Sequence, residues 1–212
     1  MKSLSINQVS AILITKEKEY PKQVLKHVES FGFGEILIQK ESHGIYRRYI
    51  ESPKFKDVYV QDDDCIPRID QIFSQYDGEF ITCGMTNHHI EAYRNSKICL
   101  VGHGAFFPWK RIDVIEKYKN NFGMDNDYLI ETDRIFTFLN FPQNRIGLPL
   151  IQLVSSFSCD RLSMRKEHYK NLWEIEKKLN KFFYFSISRR PIFFNVLRYG
   201  LFIFSRSLKN TF

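Results

Sequence analysis

No run of about twenty uncharged apolar residues occurs in this chain, which argues against a conventional transmembrane helix. The opening segment, MKSLSINQVSAILITKEKEY, has a short apolar stretch and no small-residue cleavage site, so a secretory signal is not expected. Cysteine is sparse: Cys65, Cys83, Cys99 and Cys159 form no CxxC pair, which speaks against a zinc ribbon or a thioredoxin-type redox centre. Three of the four lie in or beside apolar runs and read as buried, reduced thiols, which places the expected home in a reducing compartment, the cytoplasm. HExxH, GxSxG and GxxxxGK[ST] are all missing. Zinc hydrolase, Ser-His-Asp and P-loop chemistries are set aside on that ground. There is no internal repeat and no low-complexity stretch.

What is present describes a folded chain. Apolar residues make up 43% of the 212 positions and aromatics 16%, too many for disorder and enough to bury a substantial core. The net charge of +7 is unevenly placed: from Arg165 onward the chain carries 11 of its 31 basic residues but only 3 of its 24 acidic ones. The body is therefore close to neutral and the tail is basic. Two parts are expected, a domain over 1–165 and an extension over 166–212.

The fold class expected is α/β. Val9–Thr15 (VSAILIT) and Glu35–Gln39 (EILIQ) read as strands, with a helix over Tyr20–Phe31 between them. That β-α-β order implies a mostly parallel sheet with helices on its faces. A short helix is expected around Tyr46–Ile50, then a strand at Val58–Val60. Further expectations are a helix over Ile66–Tyr76 and strands at Glu79–Cys83 and Lys97–Val101. Helices follow over Lys110–Tyr118 and Asp127–Leu139, the last with Leu129, Ile130, Ile135 and Leu139 as an apolar stripe.

The strongest chemical signal is where the strand VYV ends: Gln61-Asp62-Asp63-Asp64. Open α/β sheets place ligands at the carboxyl ends of their strands. Three adjacent carboxylates repel one another, and a hard divalent cation with oxygen ligands would relieve that repulsion. The plainer reading of an isolated Asp triplet is a solvated turn capping the next helix; delivery by an apolar strand favours the cation. Gly102-His103-Gly104-Ala105 supplies two glycines where backbone could approach a ligand closely, or simply turn tightly. Glu131-Thr132-Asp133-Arg134 sets two carboxylates on a predicted helix, suited to general-base work or to local ion pairs. His88-His89 has no Cys or carboxylate at ligand spacing and reads as acceptor-side or structural.

Taken in order, the opening strand, VYVQDDDCI and GHGAFF resemble the GT-A glycosyltransferases over roughly residues 9–170, including small bacterial and viral members. The resemblance implies a Rossmann-like fold and a DxD motif that binds Mn²⁺ or Mg²⁺ together with a nucleoside-diphosphate sugar. Asp64 then takes the last position of the motif, in contact with the metal. Asp62 takes the first, meeting ribose or sugar and serving as a further metal ligand, and Asp63 fills the variable position. Thr15 and Lys16 follow the first strand, where the nucleoside is received. Arg47 and Arg48 are candidates to meet the diphosphate, and Gly104 lines the sugar. Asp133, with Glu131 second, is the candidate base of an inverting transfer. His168 is a candidate metal ligand, and Arg161 and Arg165 are candidates for phosphate.

The expected acceptor is a hydroxyl of a saccharide or lipid-linked glycan, or of a hydroxymethylated base in viral DNA. Two rivals are a nucleotidyltransferase, which would usually show a Gly-rich, Lys-containing N-terminal loop, and a non-catalytic basic module binding nucleic acid or membrane. Residues 182–212 hold ten aromatics interleaved with Arg189, Arg190, Arg198, Arg206 and Lys209. That composition suits a packed extension, peripheral contact with the inner face of an anionic membrane, or phosphate contacts with stacked bases.

Overall fold

The computed structural model describes residues 4–15, 19–40, 46–94, 98–123, 126–153 and 178–179. The chain divides into two units, Met1–His168 and Tyr169–Phe212. Of the second, Lys178 and Leu179 are described, both helical, with Leu179 buried. The expectations for Lys16, Arg161, Arg165, His168 and the basic aromatic segment fall outside the described residues.

The first unit is α/β. Strands β1 (Val9–Thr15), β2 (Glu35–Lys40), β3 (Asp57–Asp62), β5 (Thr82–Met85), β6 (Ala105–Pro108) and β7 (Asn144–Gly147) form one sheet in the order β2-β1-β3-β6-β5-β7. Its pairs are parallel except those that β6 makes with β3 and β5. β4 (Cys65–Ile66) pairs separately with β8 (Ile151–Gln152), antiparallel. The helices are α1 (Lys22–Glu29), α2 (Ile69–Ser74), α3 (Asn87–Ala92), α4 (Asp113–Phe122) and α5 (Asn126–Leu139). The expected class, a mostly parallel sheet flanked by helices, is the class observed.

Alternation along β6 shows how both faces are filled. Adjacent strand residues point to opposite faces, so Phe106 and Phe107 enter different cores. Phe106 stands among Tyr59, Phe73 and Tyr76 at ring-centroid distances of 4.7, 5.2 and 5.6 Å, within the cluster that includes Val24 and Val28 of α1 and Ile69 and Ile72 of α2. Phe107 instead meets Phe136 of α5 at 4.7 Å, and Phe136 meets Tyr49 at 4.8 Å. β1, buried at all seven positions, serves both layers, which is why VSAILIT is apolar throughout rather than alternating.

Several boundaries differ from expectation for local reasons. Pro21 stands at the start of α1, so the helix begins at Lys22 rather than Tyr20. Pro67 biases the residue before it toward extended backbone, and Ile66 pairs in β4 while α2 waits until Ile69. The Asp77 carboxylate accepts hydrogen bonds from the backbone N–H groups of Glu79 and Phe80 at 2.7 and 3.0 Å. Those amides are taken from any ladder, and β5 starts at Thr82.

The strand expected over 97–101 does not form in its described part. Ile98–Leu100 belong to no regular element and Val101–His103 make a single 3-10 turn. The Ile98 carbonyl accepts from Arg145 Nη1 at 3.4 Å rather than from a neighbouring strand. Ile98, Cys99 and Val101 are buried, so the apolar run reflects burial in a connection, which periodicity alone cannot tell from a strand.

Candidate functional site

The chain passes from β1 through α1 to β2 on one side, then returns to place β3 on the other side of β1. A sheet that reverses direction in this way opens a crevice at the carboxyl ends of the two diverging strands. Thr15 ends β1 there, and Asp62 ends β3, with Ile14 level with Asp62 in the parallel register. Because β6 runs antiparallel to β3, with Ala105 opposite Val60, its start brings Gly102-His103-Gly104 to the same edge. Three segments distant in sequence thus meet at the acidic triplet.

A buried polar network holds the triplet's turn. Tyr59 donates its hydroxyl hydrogen to Gln61 Oε1 at 2.7 Å, and Gln61 Nε2 donates to the Cys65 carbonyl at 2.8 Å, spanning the three aspartates. Tyr20 donates to the Asp62 carbonyl at 3.0 Å. The Leu153 amide donates to the Asp64 carbonyl at 2.8 Å. Each bond satisfies a group that would otherwise be costly to bury. Burial, with the nearby Asp62 carboxylate next, keeps the Tyr20 hydroxyl well above its ordinary titration range.

The three carboxylates have different surroundings. Asp63 Oδ2 accepts from the Thr15 hydroxyl, so the middle residue ties the ends of β1 and β3 together. Asp62 Oδ1 accepts from Arg48 Nη2, while its Oδ2 lies directly over Gly102, where an added Cβ would collide with it. Asp64 lies in the turn between β3 and β4, partly exposed.

Arg48 occupies the centre. Its Nη2 pairs with Asp62 and its Nη1 with Asp133 Oδ2, and the residue is 4% exposed. Burial works to lower its pKa, but Asp133 and then Asp62 overcome that and hold the guanidinium above its ordinary value. Tyr49 donates to Asp133 Oδ1 at 2.6 Å. Burial raises the Asp133 carboxyl above its ordinary value, with Arg48 and the Tyr49 hydrogen bond pulling the other way. Burial likewise raises the Tyr49 hydroxyl, with Asp133 adding to it.

The structure therefore brings together Thr15, Arg48, Asp62, Asp64, Gly104 and Asp133 around one edge of the sheet. Arg47 is engaged elsewhere, donating to Gln39 Oε1 at 2.7 Å and pairing with Glu51 at 2.9 Å. Glu131 lies on α5, its side chain outside the described set. Gly104 has φ +101°, and a Cβ there would also meet the Tyr59 hydroxyl at 2.9 Å, so glycine is required on both counts. His103 stands 5.1 Å from His89, ring to ring, with its Nδ1 buried and unpartnered. Burial, then His89, pushes its pKa down to about 4, so the imidazole is neutral at physiological pH.

Sequence reasoning gives no role to Tyr20, Tyr49 and Gln61, and it reads Gly102 only as one of two glycines suited to a close ligand approach or a tight turn. The Tyr46-Arg47-Arg48-Tyr49 run offered a signal, since a one-turn helix puts Tyr49 beside Arg48. Tyr20 lies 42 positions from Asp62 and offered none.

Among the described residues no group of three or more His, Cys, Asp or Glu side chains converges as a ready-made metal set. The hard oxygens of Asp64 and Asp62 still suit Mg²⁺ or Mn²⁺, because such sites commonly use one or two carboxylates and take further oxygens from substrate phosphate. Compared with known proteins, the chain matches no family model and no curated protein.

Proposed function

We propose that the chain is a metal-dependent glycosyltransferase of the GT-A type, moving a sugar from a nucleoside-diphosphate sugar to an acceptor hydroxyl. The observation that carries this reading is the Asp62–Arg48–Asp133 bridge. It joins the acidic turn at the switch point to a second carboxylate, so a donor-binding carboxylate and a base stand on either side of one guanidinium.

In this reading Asp64 and Asp62 hold Mn²⁺ or Mg²⁺, which supplies Lewis-acid neutralisation of the diphosphate leaving group. Thr15 and the following Lys16 receive the nucleoside. Arg161 and Arg165 are candidates for phosphate, and His168 for a further metal ligand. Gly102 leaves room for the Asp62 carboxylate and Gly104 for the Tyr59 hydroxyl, which sets the edge of the site where the sugar would approach. Asp133 removes the acceptor's hydroxyl proton as that oxygen attacks the anomeric carbon and the nucleoside diphosphate departs, which gives inversion. The elevated Asp133 pKa suits a base. The acceptor is a saccharide or lipid-linked glycan hydroxyl, or a hydroxymethylated base in DNA, and the setting is cytoplasmic. No helix among the described residues is long and apolar enough to cross a membrane.

The test is a panel of UDP- and GDP-sugars incubated with the protein with and without Mn²⁺, with release of nucleoside diphosphate as the signal. Turnover of at least one donor that stops on chelation supports the reading; no turnover of any donor contradicts it.

A further inference from the structure

Arg48 is buried at a place where a smaller cation would not do the same job. Removing a guanidinium from water costs several kcal/mol, which only good geometry and nearly complete hydrogen bonding offset. Here Nη1 and Nη2 each meet a different carboxylate, and Nε is the one guanidinium nitrogen buried without a partner. One cation between two carboxylates leaves the group with a formal charge of −1 by simple count. A planar fork can fix the relative placement of two carboxylates; an ammonium is a point charge and cannot.

The two carboxylates lie on unrelated elements. Asp62 closes β3 in the sheet, whereas Asp133 lies on α5. Their common restraint is the guanidinium, supplemented on the helix side by Tyr49. Each Asp133 oxygen accepts one hydrogen bond from these partners and has a second lone pair. Its side chain is 18% exposed, so an incoming hydroxyl has a path to it.

We infer that Arg48 is a positioning residue that locks Asp133 at a fixed offset from the acidic turn, so that the base and the donor are held in register by a single side chain. This rests on the transferase reading. It also replaces the role that the resemblance implies for Arg48: the residue acts on the acceptor step through Asp133, and not by gripping the diphosphate.

The deciding variant is Arg48→Lys, which retains the positive charge and loses the fork. Three quantities are read on the full chain: melting temperature, Mn²⁺-dependent binding of UDP and GDP, and turnover of whichever nucleotide sugar the wild type accepts. The expected result is a retained fold, unchanged nucleotide affinity and donor KM, and a fall in kcat of about 100-fold, the scale of a misplaced reacting group. Wild-type turnover in Arg48→Lys overturns the inference, as does loss of nucleotide binding in step with turnover. If Arg48→Lys fails to fold, melting temperatures of Tyr49→Phe, Asp133→Asn and the double variant replace it. Non-additive shifts with a kcat loss in Tyr49→Phe support a positioned Asp133, and additive shifts with wild-type turnover overturn it. A wild type inactive on every donor defeats the transferase reading itself; an active wild type with an unaffected Arg48→Lys defeats this inference alone.

Discussion

Gly102 shows how closely the site is built at the level of single atoms. A Cβ at that position would overlap Asp62 Oδ2 and come within 3.0 Å of Arg48 Nη2. Its backbone is not in the left-handed region, so the requirement for glycine is purely one of space. Gly102→Ala must push the carboxylate, the guanidinium or the 3-10 turn aside. Overpacking of this kind typically costs about 1–3 kcal/mol. The expected outcome is a lower denaturation midpoint together with weakened Mn²⁺-dependent nucleotide binding. Unchanged binding would mean that Asp62 tolerates displacement and is not a donor-site residue.

At the scale of elements, α5 positions Asp133, and Phe136 anchors α5. Three residues after Asp133 on the helix, Phe136 is fully buried between Tyr49 and Phe107. Phe136→Ala should destabilise the fold by about 3–5 kcal/mol and slow turnover while leaving nucleotide affinity in the surviving folded protein intact. A variant with wild-type kcat would show that α5 does not hold the base. The element was legible in the sequence because its apolar stripe recurs at helical spacing. β1, β2 and β3 were legible for a similar reason: each is a short apolar run bounded by polar turns. β6 was not. Its strand residues, Ala105–Pro108, follow a better-looking apolar run at 98–101, where the Ile98 carbonyl accepts from the Arg145 side chain and the Leu100 and Val101 carbonyls accept from the backbone amides of His103 and Gly104. The antiparallel placement of β6 arises from pairing across the sheet, which no local pattern encodes, and with it goes the meeting of Gly102 with Asp62. Likewise the Asp triplet and Asp133 could each be picked out by residue type, whereas the guanidinium joining them spans 85 positions and needed the fold.

For the whole molecule, two imidazoles, His103 and the half-buried His89, make stability depend on pH. His103 is held down to about 4 by burial and then His89, and His89 is lowered by burial and then His88. In the unfolded chain both return toward 6.5, so below that value the unfolded state binds more protons. Stability is then lost as pH falls from about 6.5 toward about 4, and for His103 it levels off below. Asp133, raised in the fold, takes up its proton early and offsets part of this loss at the acid end. Thermal melts across this range should show a falling midpoint in the wild type and a shallower fall in His103→Asn. Identical slopes in the two would remove His103 as a buried neutral group.

The central claim, that the acidic turn holds a metal-bound nucleoside diphosphate, is tested most directly by isothermal calorimetry of UDP and GDP with the wild type and Asp64→Ala. Each protein is titrated in Mn²⁺ and again after chelation. Removing one carboxylate from a mutually repelling triplet should leave the fold intact, as a matching melting temperature would show. The predicted result is binding of at least one nucleotide to the wild type that requires Mn²⁺ and is lost in Asp64→Ala. Equal affinity and equal metal dependence in the folded variant would contradict the account.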